Sequence, residues 1–154
     1  MGFGGFLHLD FSHNYPEFLA QLVLNFDAVG MKFKLDRNRS INVKAADVHM
    51  VYGIPSGGKE IVDAKNSNED YKEVLNSYKR YHGGVLSNNV NKLVSKLALV
   101  ESPLDDDWKR NFLVLVVNCC IKSIQNQQPY LRRFLHTAID VNRISEYDWC
   151  SYTM

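Results

Sequence analysis

A chain of 154 residues with 45% hydrophobic and 23% charged side chains has the size and balance of an ordinary globular fold, which excludes whole-chain disorder. Its formal net charge is +1, so charge alone demands neither an acidic nor a basic partner. The most apolar run, FLVLVVNCCI at 112–121, is half the length of a bilayer span, and the N-terminus lacks the basic and apolar regions of a secretory signal.

From the N-terminus, YPEFLAQLVLNFDA (15–28) places Phe18, Leu19, Leu22, Val23 and Phe26 on one helical face. Asn14 suits its N-cap, and Pro16 and Glu17 suit its first turn. MKFKL and SINV then flank the polar turn DRNR (36–39), the pattern of a small β-hairpin near residues 31–43. AADVHMVYG (45–53) is helical again and stops at Gly53, with Pro55 blocking continuation. Residues 62–70 read as loop. Tyr71, Val74, Leu75 and Tyr78 carry helical spacing over 70–81, a Gly-Gly break follows at 83–84, and a weaker helix spans about 88–99.

Residues 102–124 give the strongest helical signal. Ser102 or an early aspartate caps it, and Asp105, Asp106 and Asp107 suit the positive end of the helix dipole. Its middle is apolar all round, which predicts the most buried helix, with Phe112, Leu115, Val116 and Cys119 in the core. Pro129 opens a last helix with Tyr130, Leu131, Phe134, Leu135 and Ala138 inward and Arg132 and Arg133 outward. The expected fold is mainly α: one helix-rich domain over 1–154 with a small hairpin.

One stretch tests for nucleotide chemistry. GIPSGGKE (53–60) contains G-x-x-x-x-G-K, nearly a complete phosphate-binding loop. Such a loop needs a strand before it, a helix after it, and a Ser or Thr hydroxyl for Mg²⁺. Here a helical pattern precedes it and Glu60 stands at the hydroxyl position. A helix stop followed by a glycine turn is the better reading.

Other chemistry is thin. His8, His13, His49, His82 and His136 are scattered without metal-ligand spacing. Cys119 and Cys120 fall on the helix expected to be most buried, and Cys150 lies near the end of the chain. Three cysteines without a framework suit a reducing, intracellular compartment. No catalytic, cofactor-binding or metal-binding residue is assigned. Lys79 and Arg80, set between Tyr78 and Tyr81, and Arg132 and Arg133 are the cations that could meet nucleic-acid phosphates.

Taken in order, GFGGFLHL, DVHMVYGIPSGGKEI, DDWKRNFLVLVV and IDVNRISEYDWCSY resemble the plant mobile domain, also called "aminotransferase-like, plant mobile domain", of transposon-derived plant proteins. The most specific pieces are 47–58 and 109–116, and the resemblance is weakest over 71–101. Its motif residues here are Asp47, His49, Gly53, Pro55, Gly57, Gly58, Lys109, Arg110, Asn111, Phe112, Asp148, Trp149 and Cys150. The resemblance implies a structural role for them, an α-rich domain, nuclear work, and a link to transposon biology or silencing. It implies no transaminase activity, whose two-domain scaffold does not fit in 154 residues.

Relatives of that type continue into further helices, in some cases followed by a cysteine protease, so the chain is expected to be incomplete at its C-terminus. Tyr147, Trp149, Cys150, Tyr152 and Met154 would then form an open apolar surface favouring self-association. The function expected is a non-catalytic protein-interaction domain, and the alternative is a nucleic-acid-binding module of transposon origin. An enzyme ranks third.

Overall fold

Side-chain caps set the starts of three α-helices. Asn68 accepts the N–H of Tyr71 at 2.8 Å, Asp105 that of Trp108 at 2.8 Å, and Asp148 that of Ser151 at 3.0 Å. The computed structural model describes residues 1–8, 15–84, 90–99, 103–122 and 133–154. Its residues cluster into two compact units, one of Gly2–Glu60 with Asp148–Met154 and the other of Ile61–Tyr147. The chain is mainly helical with one small sheet.

The first unit holds a 3₁₀ turn (Gly4–His8), α1 (Pro16–Leu24), three short strands, α2 (Ala45–Tyr52) and α6 (Trp149–Thr153). The strands β1 (Phe26–Asp27), β2 (Lys32–Lys34) and β3 (Ser40–Asn42) pair antiparallel in the order β1-β2-β3. The expected hairpin is thus present. Its turn closes because the Asp36 carboxylate accepts the N–H groups of Asn38 and Arg39, each at 2.9 Å. The pattern missed β1, whose two residues pair Phe26 with Phe33 and Asp27 with Lys32.

Helix α2 starts where Asp47 accepts the Lys44 N–H at 2.8 Å, and stops at Gly53, left-handed with φ 61°. That stop serves packing as well as conformation. Gly53 lies against Gly5, where an added Cβ would come within 1.9 Å of the Tyr52 carbonyl oxygen. The core of this unit gathers Phe3, Val48, Ile54, Trp149, Cys150 and Tyr152. Phe3 meets the Trp149 ring edge-on, with centroids 5.2 Å apart.

The second unit contains α3 (Glu69–Tyr81), α4 (Val90–Leu97), α5 (Asp106–Val116), a π turn (Val117–Ile121) and two 3₁₀ segments (Arg133–Ala138 and Val141–Glu146). Val74, Tyr78, Leu93, Leu113, Val114, Val117, Phe134, Leu135 and Ile144 form its core.

The long helix expected over 102–124 is corrected in three ways. It begins at Asp106 rather than 102, with an early aspartate, Asp105, as the expected cap, while Ser102 lies outside the described residues. After Val116 it widens into the π turn, closed by the Lys122 N–H on the Val117 carbonyl at 2.7 Å. Its burial is one-sided. Leu113, Val114 and Val117 are fully buried, Phe112 and Leu115 half-buried, and Cys119 and Cys120 exposed. A helix that packs along one stripe leaves a second apolar stripe partly open, whatever its composition. Phe134, Leu135 and Ala138 are inward as expected but lie on a 3₁₀ segment. The expected roles of Pro129, Tyr130, Leu131 and Arg132, like the Asn14 cap, fall outside the described residues.

The end of the chain also differs from expectation. Trp149 and Cys150 are fully buried and Tyr152 nearly so, because they complete the first unit's core. They form no open apolar surface.

Leu113→Ala should lower the unfolding free energy by about 2–5 kcal/mol. Cys119→Ala, exposed in the π turn that follows α5, should stay within about 0.5 kcal/mol. Denaturant melts of the two variants check the assignment of the packed stripe.

Candidate interaction surface

The sequence-predicted motif residues assemble into two structural clusters. In the first, α6 docks on the turn that follows α2. The Cys150 N–H donates to the Pro55 carbonyl at 3.2 Å, the Asp148 N–H to the Lys59 carbonyl at 2.8 Å, and the Cys150 thiol to the Ile54 carbonyl at 3.4 Å. His49 Nδ1 lies 2.7 Å from the same Ile54 oxygen and, facing a carbonyl, acts as the donor. Gly57 and Gly58 turn with φ 76° and 92°, values open to glycine.

Partial burial alone would raise the Asp148 carboxyl. The Ser151 hydroxyl and the backbone N–H groups of Ser151, Gly57 and Cys150 outweigh it and hold the carboxyl below its ordinary value. Burial pushes the Cys150 thiol up, so it is a packed hydrophobe with a weak donor.

GIPSGGKE is therefore the seat of α6. Helix α2, not a strand, enters it, and no helix begins until Glu69. The carbonyls of Ile54, Pro55 and Lys59 accept from Asp148 and Cys150, and the Gly57 N–H is turned to the Asp148 carboxylate, an anion already in place.

The second cluster is built on α5. Arg110 donates to the carbonyls of Ala138 at 2.9 Å and Ile139 at 3.1 Å, placing a cation at the C-terminal end of the 3₁₀ segment, where the helix dipole is negative. It also bonds Asp107 at 3.0 Å, which accepts from the buried Ser77 hydroxyl at 2.5 Å. Asn111, 1% exposed, donates to the Asp107 carbonyl at 2.7 Å and accepts from His82 Nε2 at 2.8 Å. Lys109 pairs with Asp106 at the surface, and Phe112 stacks on Trp108 with centroids 5.3 Å apart. These contacts hold α5 against its neighbours. Ser77 bonds a carboxylate and His82 an amide, so the pair makes no nucleophile and base.

The proposed phosphate contacts are dispersed in role. Lys79 is half-buried and Arg80 exposed in the last turn of α3. Arg133 donates to the Ala64 carbonyl at 3.1 Å, and Arg132 lies outside the described residues. Partial burial pushes the thiols of both Cys119 and Cys120 above the ordinary value, which leaves little of the thiolate a nucleophile needs. Among the described residues no three His, Cys, Asp or Glu side chains are grouped to hold a metal ion. Nor is any described helix long and apolar enough to cross a membrane.

What stands open is α1. Its apolar stripe is the one the sequence marks, yet no residue of α1 is fully buried. Phe18 is 61%, Leu19 49% and Val23 74% exposed. Leu19, Leu22, Val23, Phe26 and Phe33 line an open apolar cleft of about 210 Å³. Phe26 and Phe33 face each other across the β1–β2 pair with centroids 4.9 Å apart. Sequence reading missed the part played by Phe33. The signal was the alternation Lys-Phe-Lys at 32–34, which sends one apolar side chain to the face opposite its two lysines.

The fold and surface thus define a small helical protein with an open, aromatic-walled apolar face. The chain belongs to a family described as a domain of unknown function, DUF8566, whose model matches residues 1–154. No curated protein and no solved structure matches it.

Two outcomes follow from the α6 seat. Calorimetric titration with ATP or GTP and Mg²⁺ should show no saturable binding in the micromolar range, and Lys59→Ala should change nothing. The second concerns acid. The Asp148 carboxyl is held below the ordinary 3.8, so its stabilising contribution is complete above that value and is lost as pH falls through the lower folded-state value. Asp148→Asn should melt below the wild type at pH 7, and melts at descending pH should show the gap closing in acid.

Proposed function

We propose that this chain is a non-catalytic protein-interaction domain whose docking face is α1 with the adjoining sheet. The observation that carries the reading is the exposed stripe Phe18–Leu19–Val23 beside the Phe26–Phe33 cleft. Contiguous exposed apolar surface marks interaction sites, whereas singly scattered apolar residues are normal. Placement among transposon-derived plant proteins, with nuclear work in transposon biology or silencing, rests on the resemblance of residues 47–58 and 109–116 to the plant mobile domain. Nucleic-acid binding has less support, because Arg133 is engaged by the Ala64 carbonyl and Lys79 is half-buried.

A photo-crosslinker at position 23, in the full chain expressed in plant cells, should trap a discrete protein species. The same group at the exposed position Glu73 of α3 should not. Phe18→Asp, in the chain that carries the crosslinker at position 23, should reduce the trapped species about thirtyfold or more, as loss of a hot-spot contact does. Its melting temperature should be unchanged, since Phe18 is exposed. Equal trapping from both positions would refute α1 as the docking face.

A further inference from the structure

We propose that the polar face of the β2–β3 ribbon is a second binding surface, separate from the α1 stripe, and that its ligand is duplex DNA held by its phosphates. The chain is near neutral as a whole but not locally. Residues 27–44 carry Lys32, Lys34, Arg37, Arg39 and Lys44 against Asp27 and Asp36, a net of +3. The rest of the chain, with 13 basic and 15 acidic residues, sums to −2.

Strand alternation sorts these side chains by face. Phe33 pairs with Ile41 on the apolar face, where Phe33 meets Phe26 in the cleft beside α1. Lys32 opposite Asn42 and Lys34 opposite Ser40 share the other face. Lys44 joins them by the same alternation, because the backbone stays extended there and the Val43 N–H still bonds the Met31 carbonyl at 2.7 Å. Lys34, Ser40, Asn42 and Lys44 are exposed, Lys32 is half-buried, and Arg37 is exposed at the tip. The two carboxylates offset part of this charge. Asp27 lies 3.7 Å from Lys34, and Asp36 pairs with Arg39 at 2.6 Å. Arg37 and Lys44 enter no ion pair among the described residues.

The face thus presents ammonium, guanidinium, hydroxyl and amide groups, the set that contacts DNA phosphates and sugars. It has no aromatic side chain, and so lacks the stacking platform on which single strands are held. A membrane surface calls for apolar anchors beside the cations, and Phe33 and Ile41 are turned to the opposite face. A two-stranded ribbon fits the ~12 Å major groove of B-form DNA, whereas side chains cannot read the deep, narrow major groove of duplex RNA. Lys79 and Arg80, on α3 of the second unit, are not part of this surface.

The test is fluorescence anisotropy of a labelled DNA duplex of about 20 base pairs, titrated with the full chain between about 50 and 200 mM salt. With about four phosphates contacted, the dissociation constant should be micromolar at low salt and rise about a hundredfold over that range. Lys34→Gln with Arg37→Gln should weaken binding about tenfold or more and reduce the log–log salt slope by about 2. The melting temperature should hold, since both side chains are exposed and an exposed ion pair contributes little. Lys34→Arg with Arg37→Lys keeps both charges and should keep both affinity and slope. Lys79→Gln with Arg80→Gln should change neither, and nor should Phe18→Asp, which separates this surface from the α1 face. Absence of binding at about 100 μM chain in low salt overturns the proposal. So does a salt slope unchanged in the Lys34→Gln, Arg37→Gln chain, or tighter binding to single-stranded DNA, duplex RNA, polyglutamate or anionic vesicles.

Discussion

The first unit depends on one long-range contact, the seating of α6 on the turn after α2. Cys150 and Ile54 are 96 positions apart, yet the thiol of one reaches the carbonyl of the other. Closing so long a loop costs only slightly more entropy than closing one of half its length, so a few well-made contacts can hold it. Those contacts are backbone hydrogen bonds from Cys150 to Pro55 and from Asp148 to Lys59, a fully buried indole, and a carboxylate sharing several donors. Everything near them is arranged to allow the approach. Gly53 ends α2 in the left-handed region, Gly5 removes the side chain that would strike Tyr52, and Phe3 fills the space beside Trp149.

The second unit is organised by polar groups in a way its apolar composition does not suggest. Asp107 collects a serine hydroxyl and a guanidinium, and that guanidinium also closes the end of a 3₁₀ segment. Asn111 links the α5 backbone to His82 at the end of α3. Buried polar atoms are costly when unpaired, so a satisfied set of this kind specifies one arrangement of helices where apolar contact alone would permit several. Arg110 and Asn111 have structural work for this reason.

Against these two well-satisfied cores, α1 is an exception. A nine-residue helix is too short to be stable in water by propensity alone and normally draws its stability from a buried apolar face. Here the face is present and open. Leu22 and Phe26 are partly covered through the Phe26–Phe33 pair, and Phe18, Leu19 and Val23 are exposed. An interaction partner would supply both the missing burial and the reason the stripe persists.

Much of the fold was legible in the chain because local chemistry dictates it. The Gly53 stop with Pro55 beyond it, the Asp-rich start of α5, the Asp36–Arg39 turn and the stripe on α1 follow from conformational freedom, capping and periodicity. Glu60 and the helical pattern before Gly53 already argued against a phosphate loop. Tertiary structure alone decided which stripes are covered. Periodicity names a face but not its neighbour, so Phe18 and Val23 emerged in solvent, Leu113 and Val117 displaced Leu115 and Cys119 as the packed side of α5, and the terminal Trp149, Cys150 and Tyr152 became core. The reason is physical: burial is a property of two surfaces meeting, and a sequence read segment by segment contains only one of them.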